Sequence, residues 1–138
     1  MASAVPAQAI EDRLRAMNAT GFPVFLWEDP NPELSQAEDP FIVLEFPGGS
    51  GQQMTIGAPG YNWFEEEGIF LIHVFYPTAT ATMPIRTALD GLAEIYRAQE
   101  FQGVICEAPG PPSSGKGKRQ GLWQALAVSV PYHYRIIA

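Results

Sequence analysis

The chain holds a single cysteine in 138 residues, which excludes an internal disulfide and leaves nothing that points to an oxidising compartment. No apolar run approaches the roughly 18–20 residues of a membrane-spanning helix. Met1 to Ala9 lacks both the basic start and the apolar stretch of a secretion signal. The expectation is a soluble cytoplasmic product with no membrane contact. Positive charge is also scarce: 8 Lys and Arg stand against 15 Asp and Glu, for a net charge of −7. Proteins that hold nucleic acid by neutralising phosphates carry basic surfaces, so that class of binding is not expected.

Several patterns of chemistry are missing too. His73 lies inside an apolar run and His133 between two tyrosines, with no Cys, Asp or Glu at ligand spacing to build a zinc site, so both read as packed or hydrogen-bonded histidines. Cys106 has no basic sequence neighbour to lower its pKa and reads as a small buried hydrophobe. Ser113-Ser114-Gly115-Lys116 lacks the spacing and the strand–loop–helix setting of a phosphate-binding loop. Neither a catalytic residue nor a cofactor or metal is expected. Glu65, Glu66 and Glu67 supply oxygen ligands of the kind hard cations take, but consecutive strand residues point to alternate sides, so a solvated acidic edge is the reading.

What is present suffices for one folded domain. Hydrophobic residues make up 46% of the chain, including Trp27, Trp63 and Trp123, and the 13 prolines and 13 glycines mark many loops. Gly68 to Gln102 is the central unit. Ile69 to Tyr76 is rich in β-branched and aromatic residues and reads as a strand covered on both faces or nearly so. Pro77 ends it, and Met83-Pro84 suits the first turn of a helix. Ile85, Leu89, Leu92 and Tyr96 then recur at one helical face, which lays the helix back on its own strand.

Before this unit, Pro6–Asn18 reads as a short helix with Ile10, Leu14 and Met17 inward and Gly21 beyond its end. Phe22–Trp27 reads as a strand, with Pro23, which cannot donate to a ladder, at its start or on a sheet edge. Residues 28–40 form an acidic loop. Phe41–Phe46 is a strand ended by Pro47-Gly48-Gly49-Ser50-Gly51, followed by a weak strand at Gln53–Ile56 and a turn at Gly57-Ala58-Pro59-Gly60, so that 47–67 is a region of loops and hairpins. Tyr61, Trp63 and Phe64 beside the three glutamates read either as a hairpin whose aromatics cover the edge of the core or as aromatic anchors next to an acidic rim, a composition of interfaces. After the central unit come a short strand, Val104–Glu107, and a long loop, 108–121, whose Lys116, Lys118 and Arg119 are the one concentration of positive charge in the sequence and read equally as solubilising charge or as a match for an acidic partner. That loop is expected to be mobile. Leu122–Ile137 is a long strand in which Pro131 asks for a bulge, a bend or an edge.

This order of elements resembles the tail terminator, or tail completion, proteins of long-tailed phages and gene transfer agents. The resemblance spans about Ile10 to Arg135 and is carried by Phe41-Ile42-Val43-Leu44-Glu45-Phe46, by the apolar strand entering Pro77-Thr78-Ala79-Thr80, and by Gly121-Leu122-Trp123-Gln124 with the alternating strand behind it. It implies a single compact α/β (α+β) domain with two helices packed on a mixed or antiparallel sheet. It also implies a homohexameric ring in the virion, at the head-proximal end of the tail, made in the bacterial cytoplasm. Such a ring caps the tail tube protein, stops its polymerisation and joins it to the head–tail connector protein. DNA passes through without specific binding, and the acidic balance of the chain suits that passage. Tyr61, Trp63, Phe64, Glu65, Glu66, Glu67, Lys116, Lys118 and Arg119 are the candidate interface residues. The alternatives are another head–tail connector or a tail tube subunit, and a small α/β enzyme whose catalytic groups come together only in space.

Overall fold

The computed structural model describes residues 3–27, 39–77, 81–114 and 123–137. Among the described residues, two helices, α1 (Ala4–Met17) and α2 (Thr82–Glu94), accompany seven strands: β1 (Val24–Leu26), β2 (Phe41–Gln53), β3 (Trp63–Pro77), β4 (Glu100–Phe101), β5 (Val104–Cys106), β6 (Ser113–Ser114) and β7 (Trp123–Ile137). One sheet runs β1-β2-β3-β7-β5-β4, with β6 also paired to β7. Because β3 pairs with the whole length of β7, β5 and β6 share the other edge of β7. β1 joins β2 in parallel and all other pairings are antiparallel. Of the sheets expected, this is the mixed one, and with its helices gathered on one face the domain is α+β and strand-rich.

The central unit forms as its periodicities require. Phe70, Ile72, Val74 and Tyr76 alternate onto one face of β3 and join a core with Leu126, Val128, Val130 and Tyr132 of β7. Ala9, Ile10 and Leu14 of α1 and Ile85, Leu89, Leu92 and Ala93 of α2 close over them. Each fully buried Leu or Ile contributes about 1.5–3 kcal/mol of transfer free energy. Tyr96, just past α2, is wholly buried, and its hydroxyl donates to the Ile10 carbonyl at 2.6 Å, tying the two helices together. The second face is covered more thinly. Phe41 stacks on Phe75 at 5.2 Å, and Trp27 lies 5.3 Å from His73, whereas Ile69 farther along is 40% exposed. Met17, expected to face inward, instead lines a surface groove with Phe22 and Pro84.

Tertiary pairing overrides local propensity elsewhere. The glycine cluster after Phe46 does not end β2: the register shifts between Glu45 and Gly48, and the ladder then continues to Gln53 against Phe64. The shift absorbs Pro47, and glycine is required next to it because a Cβ on Gly49 would lie 2.2 Å from the Glu67 carbonyl oxygen. The expected weak strand at 53–56 is therefore the end of β2 and the start of a tight tip. β4, a two-residue strand, was not expected; it reaches β5 through Gln102-Gly103, both at positive φ, the geometry of a type I′ hairpin.

Pro131 causes no bulge, since β3 and β7 keep one register through Ile69↔Pro131. Its carbonyl accepts from the Glu107 N–H at 3.0 Å on the far side from β3. The nitrogen and carbonyl of one strand residue project the same way, so the missing donor faces that outer side and the β3 ladder is intact. Residues 108–114 likewise depart from the mobile loop expected of 108–121. Gly110 N–H donates to the Ser129 carbonyl at 2.9 Å, and β6 pairs Ser113 and Ser114 with Ala127 and Leu126, so this half of the segment is strapped along β7 despite its prolines. Residues 115–122, and the expectations placed on them, lie outside the described residues.

Candidate functional site

Beyond the register shift, β2, β3 and β7 continue together as an arm of the sheet, flanked by β5 on the outer side of β7 as far as Tyr134. Its tip is built by Ala58-Pro59-Gly60-Tyr61, where Pro59 sets φ and Gly60 takes a φ of 85° while Tyr61 N–H donates to the Ala58 carbonyl at 2.8 Å, as a type II turn requires. The buried Asn62 accepts from Ala58 N–H at 3.2 Å, and Trp63 N–H donates to the Thr55 hydroxyl at 2.8 Å. This ordered tip presents apolar side chains to solvent: Ile56 is 85% exposed and Tyr61 78%, with Met54 and Trp63 also exposed. Phe64 is half-buried. β1 pairs only with Ile42, Val43 and Leu44. Among the described residues, no strand pairs with the outer edge of β2 from Phe46 to Gln53.

The three glutamates part company. Glu66 points to the helix face, where it accepts from the Tyr132 hydroxyl at 2.7 Å and from the backbone N–H and hydroxyl of Ser3, anchoring the start of α1. Burial works to raise its pKa, but the hydrogen bonds from Ser3 and Tyr132 outweigh it and hold the carboxyl below the usual value. Tyr132 itself lies across Gly68, where an added Cβ would come within 2.9 Å of the ring.

Glu65 and Glu67 share the opposite face with His133 and Arg135, because the register pairs Glu67 with His133 and Glu65 with Arg135. His133 Nδ1 lies 2.9 Å from Glu65 Oε1 and 3.4 Å from Glu67 Oε1. Its Nε2 meets the carboxylate of Glu107, just after β5. The Glu107 hydrogen bond is the main reason that the His133 pKa is raised; burial pulls it down, and Glu65 adds to the rise. Arg135 places its guanidinium over the Trp63 ring at 5.5 Å.

The expectation that three consecutive acids do not converge is thus correct for Glu66 and wrong for the other two. Strand alternation sends i and i+2 to one side, and the group they meet comes from β7. His133 is hydrogen-bonded, as expected, but to acids that local spacing does not show: Glu65 is 68 positions away and Glu107 26. Glu107 was missed altogether, and no sequence signal marks it. His73 is packed and hydrogen-bonded as expected, with Nε2 2.9 Å from Glu45 Oε1 and both residues buried. Of the nine interface candidates, Tyr61, Trp63, Phe64, Glu65, Glu66 and Glu67 all belong to the arm, while Lys116, Lys118 and Arg119 lie outside the described residues.

No family model and no curated sequence matches the chain. Thirty-six chains of known structure are similar to it. One is 16% identical and aligns over 97% of this chain and 96% of its own with a TM-score of 0.61. At that identity the likeness concerns the fold alone.

Proposed function

We propose that the chain is a structural virion protein of the tail terminator kind, assembling as a homohexameric ring that caps the tail tube, stops its polymerisation and joins it to the head connector. The observation that carries the proposal is the arm: an ordered hairpin tip with Met54, Ile56, Tyr61 and Trp63 exposed, beside a β2 edge that no described strand pairs. An edge of this kind is a template for another chain, and a cluster of exposed apolar and aromatic side chains within a polar rim is the make-up of an interface core. A head-to-tail contact closes into a ring when its rotation fits and otherwise makes an open filament. Stopping at a ring is what a terminator does.

The role is one of assembly instead of catalysis, with the tube protein on one face of the ring and the connector protein on the other. The net charge of −7 suits a ring through which DNA moves without being held. The protein would be made in the bacterial cytoplasm and end in the virion at the head-proximal end of the tail.

Electron micrographs of the purified protein, alone and mixed with tube protein, test the proposal. Single rings and tubes of limited length support it; long tubes built from this chain alone would identify a tube subunit. Trp63→Ala is expected to weaken ring formation while leaving the circular dichroism spectrum and melting temperature of the monomer nearly unchanged. A variant that unfolds instead would place Trp63 in the core and remove the arm from the interface.

A further inference from the structure

We propose that Glu65, Glu67 and His133 form a binding centre for a divalent transition-metal cation of the zinc type, with Glu107 as its outer partner. All three ligand side chains sit on one face of adjoining strands whose register is continuous, so the backbone already holds them together. One donor atom from each lies within 4.8 Å of the other two. A zinc ion about 2.0–2.2 Å from its ligands in a tetrahedral site holds those donors roughly 3.3–3.6 Å apart. The separations of His133 Nδ1 from the two carboxylate oxygens, 2.9 and 3.4 Å, bracket the lower end of that spacing.

An imidazole sets this group apart from a solvated acidic edge. Nδ1 carries at most one hydrogen, yet two carboxylate oxygens face it. A proton there satisfies one of them; a cation satisfies both. At the other side of the ring, Glu107 meets Nε2. A carboxylate on the far nitrogen is the usual outer arrangement of a metal-bound histidine, fixing the tautomer so that the near nitrogen offers its lone pair. Arg135, the cation that the register brings nearest, lies over Trp63, and among the described residues no Lys or Arg forms an ion pair with Glu65, Glu67 or Glu107.

The donor set decides the class of ion. A nitrogen ligand with two carboxylates favours zinc and its first-row neighbours over magnesium and calcium, which take oxygen alone. The fourth position would hold water or a donor from another molecule. Because every ligand comes from one chain, the centre does not depend on ring assembly, and its test is independent of that reading.

Calorimetric titration of the untagged full chain with zinc chloride, and separately with magnesium chloride, tests the proposal. Expected are one zinc per chain and no comparable affinity for magnesium. Glu67→Gln and His133→Gln should remove binding, and Glu107→Gln, which leaves the three ligands in place, should weaken it about tenfold to a hundredfold. Asp90→Asn, on the exposed side of α2, serves as the control and should bind as the parent does. Should a ligand variant misfold, nitrogen-15 spectra of the parent decide: zinc should move the Nδ1 resonance of His133 to the metal-bound range and leave Nε2 protonated. Zinc binding that survives both ligand substitutions, a shift at Nε2 instead, equal affinity for magnesium, or no zinc binding by the parent would each overturn the assignment.

Discussion

At the scale of single residues, space and solvation decide what each position tolerates. Cys106 is buried, and loss of solvation pushes its thiol up to about 12, against a smaller downward pull from Arg13. Since the thiolate is the reactive form, the folded protein should react with a thiol reagent at neutral pH far more slowly than the denatured chain; equal rates would place the thiol at the surface. Gly49 and Gly91 give opposite predictions for the same substitution. Gly49→Ala forces a Cβ onto the Glu67 carbonyl, and a strained insertion of this kind costs about 1–3 kcal/mol. Gly91, exposed on α2, has nothing within 4 Å of its would-be Cβ, so Gly91→Ala should stabilise the helix by about 0.5–1 kcal/mol. Thermal melts should shift down for the first and up for the second.

At the scale of elements, the strength of a repeat decides how much can be read. The helical spacing of Ile85, Leu89 and Leu92 places a buried stripe on α2, and all three are 2% exposed or less. Leu89→Ala or Leu92→Ala should cost about 2–5 kcal/mol in denaturant titrations, whereas near-neutral values would move the stripe to an exposed or intersubunit surface. α1, α2, β7 and the Ile69–Tyr76 part of β3 were legible because their periodicities are long, whereas Trp63–Gly68 fell in the region read as loops and hairpins and is made strand by pairing with β2 and β7. The second half of β2 was not, because Pro47 and the glycines oppose a strand locally and only the partner β3 makes it one. β4 and β6 are two residues each, too short for any repeat to show. The arm was visible as aromatics beside acids. The grouping of Glu65, Glu67, Glu107 and His133 was not, because it depends on the β3–β7 register and on where β5 ends, and neither is written in local sequence.

At the scale of the whole molecule, order along the chain and order across the sheet disagree. β7 comes last of the described strands, yet it lies inside the sheet between β3 and β5. It supplies Leu126, Val128, Val130 and Tyr132 to the core. A chain cut after residue 122 should therefore lack a cooperative unfolding transition, and a native-like melt would show that β7 is dispensable. The same topology bears on synthesis. With translation adding about 5–20 residues per second, the emerging polypeptide holds the long edge of β3 and the inner faces of both helices unsatisfied until β7 clears the ribosome. Exposed edges and apolar faces favour wrong pairings, and polysomes bring many such half-made chains close together. In a cell making this protein in quantity, chaperone demand should fall on nascent chains, before any finished domain exists to meet another.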